Sequence, residues 1–172
     1  MIGKAVIRKF LTAAVLALAA LAACATAPKP LQGDFAALAP ADTRAGGQGT
    51  PVRWGGVIAA VEPRADQTCL QIVARELDAN ARPRDVDASS GRFIACRAGF
   101  YDPQVFAEGR EITVVGRLDG SEVRMIGEYR YEHPRVAADI YYLWPERSER
   151  DWRHRDPWYP HPFPYRRHPW WW

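Results

Sequence analysis

The sequence predicts a mostly β protein whose folded part is a small antiparallel barrel of five to six strands with one short helix. Three observations carry that reading. From Pro51 to Trp144, short runs of β-branched and aromatic residues alternate with polar ones, the period of half-buried strands. The runs fall in the order strand, strand, strand, short helix, strand, strand, which is the order of a Greek-key barrel of the OB type. Outside residues 51–145 the composition changes on both sides to segments that cannot extend a core. Closure into an OB-like barrel would also remove the sheet edges. An open, twisted antiparallel sheet of the same strands is the alternative.

The first strand spans Val52 to Val61, with Trp54, Val57, Ile58 and Val61 as apolar positions and Gly55-Gly56 as a predicted bulge or sharp bend. In the second, Thr68 to Leu77, Leu70, Ile72 and Ala74 alternate with Cys69, Gln71 and Val73. A polar loop over 78–90 leads to the third strand, Gly91 to Arg97. Asp102-Pro103 has the form of a helix start, with Asp102 as N-cap and Pro103 at the first position, and Gly109 ends that helix. The clearest strand is Glu111 to Leu118, closed by an Asp119-Gly120 turn. Val123 to Tyr131 and Val136 to Leu143 complete the set, with Glu128 expected as a solvated carboxylate beside a turn.

Residues 1–23 have the layout of a lipoprotein signal peptide. Lys4, Arg8 and Lys9 form a positive start, and Phe10 to Ala23 is an uncharged, Leu/Ala-rich run of 14 residues, expected as the signal helix. That run is short for a hydrocarbon core of about 30 Å and suits a secretory leader. It ends in Leu21-Ala22-Ala23-Cys24, which resembles the bacterial lipobox, where the cysteine is acylated and becomes the first residue of the mature chain. Cys24 is thus the expected lipidation site, and each buried CH₂ of its acyl chains, palmitate among them, contributes about 0.8 kcal/mol to anchoring. By resemblance to lipoproteins of Gram-negative bacteria, Ala25 carries no inner-membrane retention signal. The expected address is the cell outer membrane, lipid-anchored and facing the periplasm.

Residues 24–50 read as a flexible, lipid-anchored linker, because Pro28, Pro30, Pro40 and four glycines interrupt any period beyond a short turn at 35–38. The other flank, 146–172, holds eight aromatics but no Ile, Leu, Val or Met, and its prolines forbid helix and sheet. It is expected as a disordered, polyproline-like arm. Trp and Tyr beside Arg166 and Arg167 suit a lipid–water interface, so the expected contact is the membrane surface or the peptidoglycan. Folding back over Trp54 and Trp144, or chelation through His154, His161 and His168, are the alternatives.

Beyond Cys24 the chain has two cysteines in an oxidising compartment. If residues 68–77 and 91–97 form a hairpin, the register that sets Leu70 opposite Ala95 and Ile72 opposite Phe93 also sets Cys69 opposite Cys96. A cross-strand disulfide is therefore expected, with two buried free thiols as the alternative. Trp54 and Trp144, at the start of the first strand and the end of the last, are read as aromatics that close the barrel core or present a ligand-stacking face.

The formal charge of +3 misleads, because three lysines and arginines leave with the signal peptide and 20 basic residues then face 20 acidic ones. A balanced chain lacks the clustered positive charge that nucleic acid requires, and its apolar content excludes a wholly disordered protein. No H-E-x-x-H, G-x-S-x-G, C-x-x-C or calcium-loop pattern occurs, and His133 is the single histidine before the tail. Asp85 and Asp87 share a loop but fall short of the six to eight oxygens of a calcium site. No metal, cofactor or catalytic residue is expected.

Five stretches carry a resemblance: Val52-Arg53-Trp54-Gly55-Gly56-Val57-Ile58, Gly91-Arg92-Phe93, Gly109-Arg110-Glu111-Ile112-Thr113-Val114-Val115-Gly116, Ile126-Gly127-Glu128-Tyr129 and Tyr142-Leu143-Trp144-Pro145. In this order and spacing the chain resembles the Slp family of outer-membrane lipoproteins. The resemblance implies starvation or stationary-phase association and a structural, envelope-maintaining role without catalysis. The other expectation is a periplasmic binding module that uses a barrel face for a ligand or a partner protein.

Overall fold

Alternate residues along five strands point into one apolar interior, and the strands close around it. The computed structural model describes residues 26–43 and 47–147. In it β1 (Pro51–Pro63), β2 (Gln67–Arg75), β3 (Arg92–Ala98), β4 (Glu111–Ile126) and β5 (Tyr129–Leu143) form a closed barrel in the order β1-β2-β3-β5-β4. Val52, Trp54, Ile58, Leu70, Ile72, Phe93, Ile112, Val114 and Val136 fill it. The pairings are antiparallel except one: β3 and β5 run parallel where Ile94–Cys96 meet Arg135–Ala137. That pair departs from the all-antiparallel expectation, and it is the link that closes a five-stranded Greek key of OB order.

β2 and β3 pair in the expected register, with Leu70 opposite Ala95, Ile72 opposite Phe93 and Cys69 opposite Cys96. The two Sγ atoms lie 2.07 Å apart as a disulfide. At Gly56 the backbone of β2 comes so close that a Cβ there would sit 1.9 Å from the Val73 carbonyl oxygen. The bulge expected at Gly55-Gly56 falls instead between Ile58 and Ala60. One end of the barrel is plugged by Tyr101, Phe106 and Tyr141, whose rings meet edge-on or tilted. Tyr141 Oη donates to the Ala95 carbonyl at 2.6 Å and lies 3.0 Å from that of Thr68, and burial pushes its phenol well above the usual range.

Three expectations are corrected. The helix after Asp102 is a single turn. The Asp102 carbonyl accepts from Val105 and Phe106 at 3.0 and 2.9 Å, but Phe106 then turns into the aromatic plug. One turn does not repay helix nucleation, so it does not propagate. Asp119-Gly120 is not a hairpin turn either. The two residues form a bulge opposite Arg135, whose guanidinium takes the Asp119 carbonyl and carboxylate at 3.2 and 2.5 Å. Gly120 has φ 82°, which serves a bulge as well as a turn. β4 continues to Ile126, and Gly127-Glu128 make the reversal inside what was expected as a strand over 123–131. Glu128 is exposed there, as expected.

The third correction concerns the linker. Residues 26–43 lie against the barrel and include two short 3₁₀ turns, Lys29–Leu31 and Pro40–Asp42. Leu31 is fully buried, and its carbonyl accepts from Arg53 Nη1 at 2.8 Å. The Leu38 carbonyl accepts from Trp54 Nε1 at 2.6 Å. Leu31 joins the Trp144 cluster and Leu38 packs on the barrel core, so their spacing has no period that a sequence could display. The expected signal helix, Cys24 and the tail from 148 on lie outside the described residues.

Candidate functional site

Trp54 and Trp144 are not brought together. Trp54 lies opposite Val114 inside the barrel, 5% exposed, with its ring 5.2 Å from Phe93. Trp144 lies outside the wall, 8% exposed, in a second cluster with Leu31 and Ala81. Its indole N–H donates to Thr113 Oγ1 at 2.9 Å, and that hydroxyl donates to the Ala81 carbonyl at 2.7 Å. Val114 and Thr113 are neighbours on one strand and so face opposite sides, and each carries one tryptophan. Both rings are buried and their N–H groups are used within the fold, which suits closure of the barrel wall.

OB barrels take ligands on the outer face of strands 2 and 3 and on the adjoining loops. Here the β4–β5 hairpin beyond Ser121, the arm, lies across that face. Ile94 and the Cys69–Cys96 disulfide are buried outside the barrel. Buried His133 lies on Gln71, and the Tyr131 hydroxyl accepts from the Arg92 N–H at 3.4 Å. His133 Nδ1 is 3.1 Å from the Tyr131 carbonyl, so it carries the proton, and Nε2 accepts from Gln71 Nε2 at 2.8 Å. Burial, with Arg124 and Arg92 nearby, holds the imidazole below its usual pKa and neutral. Arg124 bridges Glu62 of β1 and Glu122 of the arm. Burial raises the Glu62 pKa, but its bonds to Arg124 and Arg64 outweigh that and lower it.

At the chain-terminal end, Glu111 holds two arginines, taking Arg82 Nε at 2.7 Å and Arg147 Nε at 2.9 Å. The Arg82 guanidinium stands 5.5 Å over the Trp144 ring. A cleft of about 270 Å³ opens beside this group. Its charges balance, Arg75, Arg110 and Arg147 against Asp85, Glu111 and Glu146, so no single-signed field draws an ion into it. Arg110 Nε is buried there without a hydrogen bond, with Glu146 3.7 Å away. A shallower groove of about 530 Å³ runs between residues 36–40 and the β1–β2 wall, with Trp54 among its lining residues.

Among the described residues no three His, Cys, Asp or Glu side chains gather as metal ligands, and no helix is long and apolar enough to cross a membrane. Asp85 pairs with Arg75 at 3.7 Å. Sequence reasoning missed the Arg82–Glu111–Arg147 triad and the use of His133. Neither has a local signal, since the triad joins residues from three separate parts of the chain.

The Outer membrane lipoprotein Slp family matches residues 21–172. An uncharacterized protein of Haemophilus influenzae is 34% identical over 62% of this chain and 61% of its own length. The uncharacterized lipoprotein YeaY of Escherichia coli is 35% identical over 56% and 49%. The outer membrane protein Slp of Escherichia coli is 30% identical over 56% and 50%. The chain spans about half to three fifths of the length of these curated relatives. No solved structure matches. With a family match over residues 21–172, the chain belongs to the Slp family of outer membrane lipoproteins.

Proposed function

We propose that this outer membrane lipoprotein is acylated at Cys24, faces the periplasm and maintains the envelope under starvation stress by a structural, non-catalytic role. The observation that carries the reading is the arm. The strand 2–3 face through which OB barrels bind ligands is crossed by the chain's own β4–β5 hairpin, whose buried His133 bonds Gln71 and whose Tyr131 and Arg124 bond Arg92 and Glu62. A barrel crossed in this way acts as a rigid body on a lipid anchor. The tail of residues 148–172 adds a second, weaker contact with the inner leaflet through its Trp, Tyr and Arg side chains.

Two measurements test this. Palmitate labelling with and without globomycin reports acylation, with a Cys24→Ser chain as control. Unchanged processing in globomycin would remove the lipidation reading. A strain lacking the gene should become more sensitive to detergent in stationary phase and regain resistance from the acylated chain only. Equal rescue by a soluble periplasmic form would refute the anchored structural role and favour a diffusible binding module.

A further inference from the structure

The described chain enters and leaves the barrel at one place. Ala27 packs against Leu31, Ala81 and Trp144 on the outer wall of β4 and β5. Arg147 is held next to the same loop by Glu111 and by the Pro83 carbonyl at 2.8 Å. Only Ala25 stands between Cys24 and the described chain at Thr26. Two extended backbone steps reach at most about 7 Å.

We infer that the barrel lies directly on the inner leaflet of the outer membrane, with the end that carries Ala27, Lys29 and Arg147 against lipid and the tip of the β4–β5 arm turned away toward the periplasm. The inference rests on the acylation of Cys24 proposed above. An acylated cysteine has its backbone at head-group level, and a reach of about 7 Å cannot lift a folded body clear of the lipid. The chemistry of that end fits head groups. Arg82 and Arg147 both meet the carboxylate of Glu111, and Lys29 is exposed beside Leu31. Tyr142 and Trp144 meet edge-on there at 4.7 Å. Cations beside aromatic rings are the side chains that settle at a phospholipid interface. The arm tip at Ile126 lies eleven residues along β4 from Val115 of this cluster, roughly 35 Å away along the strand.

The test uses the full acylated chain in vesicles of phosphatidylethanolamine and phosphatidylglycerol. A bilayer-quenched fluorophore is attached to Lys29→Cys, Glu146→Cys or Glu128→Cys, all exposed positions. Lipids with a nitroxide at the head group should quench positions 29 and 146 several-fold more than position 128. Equal quenching at all three, or the strongest quenching at 128, overturns the inference. Intact mass of the same samples separates the two readings. An unacylated Cys24 removes both the anchor and the orientation. An acylated chain with the reverse quenching order removes the orientation alone.

Discussion

β4 and β5 each serve two regions that are held by different forces. In the barrel half, Ile112, Val114, Leu118, Val136 and Tyr141 are buried, and apolar burial with close backbone contact holds the strands. In the arm the same two strands continue in register, from Ser121–Pro134 to Ile126–Tyr129. There Val123, Met125 and Tyr129 are 45%, 59% and 69% exposed, and the inward contacts are polar: His133 on Gln71, Arg124 on Glu62, Tyr131 on Arg92. The Asp119-Gly120 bulge thus marks a change of stabilising force midway along β4. The barrel should respond to changes of volume, and the arm to pH and salt.

The largest expected effect contrasts two glycines. Gly56→Ala would drive a methyl into the Val73 carbonyl, where backbone cannot yield, and should cost about 4 kcal/mol or more. Gly127→Ala, at the arm's turn with φ 59° and nothing within 4 Å, should cost only about 1–2 kcal/mol. Urea denaturation of both variants measures the gap. Similar losses would mean that the arm is as tightly specified as the barrel.

Next comes the disulfide staple. Reducing Cys69–Cys96, 27 residues apart, should cost about 2–4 kcal/mol, and unreduced native protein should show no alkylatable thiol at either position by mass spectrometry. Two modified thiols would refute the bridge.

A smaller effect follows from His133. Its folded pKa lies below the ordinary 6.5, so as pH falls through 6.5 the unfolded chain takes up a proton that the folded arm resists. Stability is full above about pH 6.5 and declines below it until the folded pKa is reached. Hydrogen exchange, corrected for its intrinsic pH dependence, should show arm amides losing protection at mildly acid pH before barrel amides do. A His133→Gln chain should lose that dependence. Uniform loss across both regions would unite what the structure separates.

The smallest effect is the Arg124–Glu62 pair. Glu62 is 39% exposed, so a double-mutant cycle should give less than about 1 kcal/mol, falling with added salt. Its lowered carboxyl pKa adds stability that is present above the ordinary 4.5 and lost below it. An energy unaffected by salt would place the pair among the buried contacts of the barrel.

The barrel strands were legible because alternation is local. Leu70, Ile72 and Ala74 announce a face, and that face sets the register that brings Cys69 opposite Cys96. The separation of Trp54 and Trp144 onto opposite sides of the wall was not legible, since the side each ring takes depends on which β4 residue it meets. The arm was misread at Gly120 because a glycine at positive φ serves a turn or a bulge, and only Arg135 on the partner strand distinguishes them.

By itself the sequence determined the β character of residues 51–145 and the register of the disulfide hairpin, because both rest on a strict two-residue period, and its local motifs pointed to the family. Tertiary structure alone decided that residues 26–43 lie on the barrel, that the arm crosses the OB face, and that Ala27 and Arg147 come to the same part of the wall near Trp144 and the loop at residues 81–83. Those outcomes depend on single side chains meeting surfaces built by distant segments, and no local period records such meetings.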